Sequence, residues 1–169
     1  CLLNSRIDRP SPMALGEGAI LPGYFGYERR CASPQKLLDL LSRWFGEMNP
    51  ASLLTEAASV PAGAEGVVCL DAAEPSHDRS PKGALFAGMS LQHSRGHLVR
   101  AVIEGWAMSL RRDIESLRDS GVPVRRFTAI GHATREHRLL LQIAADVLGQ
   151  RIALHEDTDA IARGAAVIG

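Results

Sequence analysis

The sequence predicts an α/β domain, and three observations carry that prediction. Strand-like and helix-like segments alternate through the second half of the chain. The 169 residues suit a single domain, large enough to bury about 70% of its unfolded surface. The apolar share is ordinary for a globular protein, and no apolar run approaches the roughly 20 residues of a membrane-spanning helix.

The elements follow in order. "CLLN" (1–4) and "AILPG" (19–23) read as two strands of a hairpin around a long loop. The abrupt apolar start without Met predicts a mid-strand beginning and a longer parent protein. Ser33-Pro34 forms a helix entrance, a capping hydroxyl before a proline at the first helical position. Leu37, Leu38, Leu41, Trp44 and Phe45 then recur at helical spacing. "ASLLTEAASVPAGAEG" (51–66) supplies a short helix and a turn, leading into "GVVCLD", a strand of buried character ending at Asp71. Residues 72–83 form a polar loop, and "ALFAGMSL" (84–91) reads as another short strand, with a helical turn as the alternative.

The longest helix is expected from about His97 to Leu117. Leu98, Ala101, Val102, Gly105, Trp106, Leu110, Ile114 and Leu117 share its apolar stripe, and "DSGVP" ends it with glycine and proline in the expected order. "RRFTAIG" (125–131) is a strand. Residues 135–148 form a helix with Leu139, Ile143 and Val147 inward, closed by Gly149. "RIALH" is the next strand, and "DTDAIARGAAVIG" opens a last helix capped by Thr158, with Ala160, Gly164 and Ala165 small enough for close packing.

Composition narrows the function. Lys plus Arg and Asp plus Glu number 19 each, so no global charge points to nucleic acid or a membrane surface. Cys1, Cys31 and Cys69 make no close pair and no metal-ligand spacing, which predicts free thiols in a reducing cytoplasm. His93 and His97 could share one helix face around zinc, but no third ligand or H-E-x-x-H glutamate accompanies them, and solvated helix-entrance histidines are the plainer reading. No Ser-His-Asp order, carboxylate dyad or Cys-His pair emerges.

The best candidate site is the turn at Gly131. A strand that feeds through glycine into a helix aims free backbone N–H groups and the positive helix end at one point. Thr134 is placed to cap that helix or bond an anion. An ordinary strand–turn–helix connection has the same pattern and is the commoner outcome; neither G-x-G-x-x-G nor G-x-x-x-x-G-K-[ST] is present.

Five ordered blocks carry a family resemblance: "ILPGYFGYE" (20–28), "DRSP" (78–81), "GMSLQHSRGHLVRAVIEGWAMSLR" (88–111), "GHATREHRLLLQIAADVLGQRI" (131–152) and "DAIARGAAVIG" (159–169). Together they resemble the C-terminal domain of FGGY carbohydrate kinases, ribulokinase-like branch, across essentially the whole chain. The most specific parts are "PGYFGYE", Arg-Ala-x-x-Glu-Gly at 100–105, and Gln142-Ile-x-x-Asp146-Val-x-Gly149.

The resemblance implies an actin-like ATPase, ribonuclease H-like lobe with a mixed sheet flanked by helices. It implies transfer of the ATP γ-phosphoryl to a sugar hydroxyl with Mg²⁺, in a cleft closed between two lobes. This chain would be the second, nucleotide-side lobe; the catalytic aspartate and a Gly-Thr phosphate segment would lie upstream of residue 1, so the chain alone would be inactive. Its partners would be the N-terminal lobe, the sugar and a homo-oligomeric copy, with no nucleic acid or membrane. Gly131, His132, Ala133 and Thr134 would border the phosphates or ribose, His137 the adenosine, and the Tyr27–Cys31 region the adenine, with "DRSP" nearer the lobe interface.

Three residues depart from the family's pattern. His132 replaces the second of a glycine pair, His137 a small polar residue, and Arg30 a glycine near the adenine pocket. If position 132 needs a left-handed backbone, its β-carbon costs roughly 1–2 kcal/mol. The alternative reading is therefore a degenerate, non-catalytic lobe retained for binding or assembly.

Overall fold

A computed structural model describes residues 2–5, 22–28, 34–47, 49–71, 83–130 and 138–155. The elements are β1 Leu2–Ser5, β2 Phe25–Glu28, α1 Gln35–Trp44, α2 Pro50–Ser59, β3 Val68–Asp71, β4 Ala84–Ala87, α3 Arg95–Asp119, β5 Phe127–Ala129, α4 Arg138–Leu148 and β6 Ile152–Leu154. β1 pairs antiparallel with β2 and β3 with β4, while β5 and β6 run parallel, with α4 as their crossover. This is the mixed α/β arrangement expected of the sequence.

The long helix α3 is the hub. Its first half buries Val99, Val102, Ile103 and Ala107 against Leu53 and Ala57 of α2, Val67 and Cys69 beside or in β3, and Leu140 and Ile143 of α4. Its second half buries Ile114 and Leu117 with Tyr27 of β2 and with Val122 and Val124. A fully buried aliphatic side chain such as Ile103 contributes about 1.5–3 kcal/mol relative to exposure.

Helix ends are set by local chemistry. Asn49 accepts the Ala51 N–H at 3.0 Å and Pro50 takes the first helical position of α2. α1, α3 and α4 all stop at a glycine with positive φ, Gly46, Gly121 and Gly149. In each case the glycine N–H reaches back three residues and the next N–H five; for α3 these are Gly121 to Arg118 at 2.9 Å and Val122 to Leu117 at 3.1 Å. The pattern satisfies the last carbonyls of each helix.

Several expectations are corrected. The hairpin exists, but its second strand is Phe25–Glu28, whereas Pro22 and Gly23 of "AILPG" form a turn; proline has no N–H to give a ladder and Gly23 has φ +75°. α1 starts at Gln35, with Pro34 flanking it and its carbonyl taking the Leu37 and Leu38 N–H groups. Trp44 is 69% exposed, because the buried face of α1 centres on Leu38, Leu41 and Phe45 and Trp44 stands about 100° away from that centre. β3 is not buried on both faces: Cys69 is 2% exposed, while Val68 and Leu70 on the other face are 50% and 59% exposed. β4 stops at Ala87, where Gly88 turns the chain with φ +78°. α3 begins at Arg95, two residues early, and its buried stripe also takes in Val99 and Ile103.

Candidate functional site

The predicted site residues Arg30, Gly131, His132, Ala133, Thr134 and His137 lie outside the described residues, as do Cys1, Cys31, "DRSP" and the last-helix segment 159–169. Their framework is described on both sides. β5 runs beside β6 in register Phe127↔Ile152, Thr128↔Ala153 and Ala129↔Leu154, and His155 N–H adds a bond to the Ala129 carbonyl at 3.1 Å. The chain leaves the C-terminal end of β5 at Ile130 and is described again from Arg138 in α4, which docks on α3 through Leu140, Ile143 and Ala144. Segment 131–137 therefore connects the carboxyl end of a parallel strand to a helix, the location where open α/β sheets hold ligands.

The motifs that carried the resemblance have structural work where they are described. Arg100 Nε bonds Glu104 Oε1 at 2.7 Å, and its other nitrogen reaches the Val60 carbonyl at 3.2 Å. The same Glu104 oxygen accepts the Gly63 N–H at 3.0 Å. Gly105, one residue on, lies so close to β3 that a β-carbon there would stand 2.2 Å from the Cys69 carbonyl oxygen. Arg-Ala-x-x-Glu-Gly is thus a clamp that registers α3 on the segment entering β3. Gln142 and Asp146 form an exposed i,i+4 hydrogen bond at 2.8 Å, and Gly149 is the stop of α4.

The segment held by that clamp is unusual. Gly63, Ala64, Glu65 and Gly66 have φ of 85°, 46°, 50° and 95°, a single left-handed turn. Each non-glycine residue in that region costs of order 1–2 kcal/mol. Glu104 holds the turn at Gly63, and His97 holds it at Glu65, Nε2 to Oε2 at 3.0 Å. Between β3 and α3, beside this turn, opens a cleft of about 550 Å³ walled by Val68, Leu70, Met108 and Arg112.

The two histidines do local work. His93 Nδ1 accepts the Ser90 N–H at 2.9 Å and His97 Nδ1 accepts the Ser94 N–H at 3.0 Å, the latter closing a capping box at the start of α3. Each ring thereby presents Nδ1 as acceptor, and His97 donates from Nε2 to Glu65. They are helix-entrance residues, as expected, but His97 is bonded rather than solvated, with a 13% exposed side chain. Among the described residues no group of three metal-ligating side chains is found. Sequence patterning missed the Arg95–Glu56 fork, Nε to Oε2 at 2.9 Å, because the partners are 39 residues apart. The hydrogen bond from Arg95 holds the Glu56 carboxyl below its ordinary range, and Glu56 in turn holds the guanidinium charged. Tyr27, at the margin of the predicted adenine region, is fully buried in the core around Ile114 and Leu117.

No described helix is long and apolar enough to cross a membrane. The chain matches the C-terminal domain of the FGGY family of carbohydrate kinases over residues 6–169. A ribulokinase from Shouchella clausii is 31% identical over 89% of this chain and 30% of its own length. A xylulose kinase from Bacillus subtilis is 32% identical over 69% of this chain and 24% of its own length. Among solved structures, xylulose kinase from Rhodospirillum rubrum superposes with a TM-score of 0.77 at 30% identity, over 99% of this chain and 36% of that one. The sugar kinase from Brucella ovis gives a TM-score of 0.83 at 26% identity, again over 99% and 36%. The chain spans roughly a quarter to a third of the curated relatives it matches.

Proposed function

The chain belongs to the FGGY family of carbohydrate kinases as its C-terminal domain, and from that membership we propose that it is the nucleotide-side lobe of an ATP-dependent sugar kinase of the ribulokinase-like branch. The match over residues 6–169 is the observation that carries this reading. Phosphoryl transfer needs positioning and charge neutralisation more than reactive side chains, which suits a lobe that contributes one side of a cleft. In this reading segment 131–137 borders the phosphates at the carboxyl end of β5, with Gly131 and Thr134 offering backbone and hydroxyl donors. His132 and His137 border ribose and adenosine, and Arg30 lies on the adenine side. Mg²⁺ would neutralise the phosphate charge. The N-terminal lobe would supply the base and most sugar contacts, so this lobe acts only when joined to it, in the cytoplasm.

The substitutions at Arg30, His132 and His137 support a second reading, a kinase-derived lobe that no longer binds ATP well. Titration of the full protein with ATP·Mg²⁺ and a panel of pentuloses separates the two. Sugar-dependent ADP release is the expected result; absence of ATP binding at millimolar concentration would refute the kinase reading.

A further inference from the structure

The amino-terminal ends of β5 and β6, opposite the end from which segment 131–137 departs, carry three arginines. Arg125 and Arg126 precede Phe127, Arg151 precedes Ile152, and all three are exposed. Phe127 pairs with Ile152 in the parallel register, so one step back along both strands sets Arg126 beside Arg151. Alternation puts both on the face opposite Phe127 and Ile152, about 5 Å apart at the backbone. Like charges directly opposite in a ladder are destabilising, and no described acid forms an ion pair with either.

Positive charge near helix C-termini has an ordinary explanation, since it complements the helix dipole. Both α3 and α4 end here, but their terminal carbonyl regions already have arginines. Arg118 donates to the Val124 carbonyl just past α3 at 3.4 Å, and Arg111 donates to the Val147 carbonyl in the last turn of α4 at 3.2 Å. The acids of these two helix ends are Glu115, which holds Arg111, Asp146, which takes Gln142, and the exposed Asp119. Arg125, Arg126 and Arg151 are therefore surplus to the dipoles. They are also rigidly mounted, between the buried Val124 and the half-buried Phe127 on one strand and just after the Gly149 stop on the other.

We propose that Arg126 and Arg151, side by side at the starts of β5 and β6 with Arg125 next to them, form a docking site for a compact phosphate-bearing anion. Two adjacent guanidinium forks match the oxygens of a phosphate group. Lys plus Arg and Asp plus Glu number 19 each, so the chain has no overall basic excess; that favours a small multivalent anion over a nucleic acid or membrane, which need a broad basic surface. The site is separate from the nucleotide reading and does not depend on it.

The test uses the full protein with pyrophosphate and inorganic phosphate as probes, at matched ionic strength in chloride. Calorimetric titration should show saturable pyrophosphate binding, and hydrogen exchange should slow at residues 122–128 and 149–153. The double variant R126A/R151A should weaken binding by about tenfold or more, as loss of charge-assisted hydrogen bonds predicts, while R126K/R151K retains part of it. R126K/R151K should unfold like the parent protein, and R126A/R151A should be at least as stable, because the side chains are exposed and alanine relieves the like-charge pair. Absence of saturable binding, undiminished binding in R126A/R151A, or protection confined to residues 131–137 would each overturn the proposal. The last outcome would instead assign the anion to the nucleotide loop.

Discussion

Replacing Gly105 by alanine sets two magnitudes against each other. Alanine at an exposed helix interior gains up to about 1 kcal/mol over glycine. At Gly105 the new β-carbon would sit 2.2 Å from the Cys69 carbonyl oxygen and 3.3 Å from the carbonyl carbon. Both obstacles are backbone, so no side chain can rotate away; α3 and β3 must separate by about 1 Å to restore ordinary contact. Their separation would loosen Val102 and Ile103 against Val67 and Cys69 in the shared core. Forced overpacking costs typically about 1–3 kcal/mol, occasionally more, and the helix gain offsets only part of it. The expected net loss is about 1–2 kcal/mol, roughly 2–8 °C in Tm for a domain of this size. Urea unfolding followed by circular dichroism measures it, with Ser109→Ala on the same helix as a propensity control. A Gly105→Ala protein as stable as the parent, or more so, would refute the close-approach reasoning.

Further outcomes test other parts of the structure. Glu104→Ala leaves the Gly63 N–H and the Arg100 guanidinium without their shared acceptor, and should cost about 1–3 kcal/mol by denaturant unfolding, with Glu104→Gln losing less. Gly149→Ala forces a β-carbon into φ +62° and should cost about 1–2 kcal/mol in the same assay. The folded-state pKa of Glu56 lies below its ordinary 4.5, so the folded protein binds fewer protons there than the unfolded chain. Its contribution is present at neutral pH and lost as pH falls through the lowered value; Glu56→Gln should flatten that acid limb in unfolding titrations. His132→Gly should tighten ATP binding by about five- to thirtyfold in calorimetry if a left-handed backbone at that position is the impairment. An unchanged affinity would favour the non-catalytic reading.

What was legible in the sequence follows the range of the interactions. The stops at Gly121 and Gly149 and the β5–α4–β6 unit are written in local signals, glycine at a helix end and a change of hydrophobic period. Ala64 and Glu65 gave no such signal, because their left-handed backbone is imposed by Glu104 and His97, which approach from another element. "GVVCLD" has the composition of a buried strand, but composition cannot distinguish an apolar face that is covered, as at Cys69, from one that lines an open cleft, as at Val68 and Leu70. The apolar content of "AILPG" points to a strand there, but its proline and positive-φ glycine turn the chain and the pairing strand is Phe25–Glu28. Gly131 marks the turn expected to face a nucleotide; it lies outside the described residues, while the strand before it and the helix after it, Phe127–Ala129 and Arg138–Leu148, follow the alternation. The clamp roles of Arg100 and Glu104 were invisible, because the motif showed which residues were distinctive and not what they touch 40 residues away.

The left-handed turn also bears on the order in which this lobe assembles. Its local bonds, Gly66 N–H to the Gly63 carbonyl and Val67 N–H to the Ala64 carbonyl, are joined at the Gly63 N–H by Glu104, a residue 41 positions later, so the turn is complete only once α3 arrives. Until then the chain at Ala64 and Glu65 favours ordinary right-handed or extended geometry, and β3 cannot enter at its final angle. The Gly63 amide should therefore exchange its hydrogen only when α3 undocks, at a rate tracking the cooperative opening of the hub rather than local fraying. A single amide at the surface thus serves as a clock for the formation of the core.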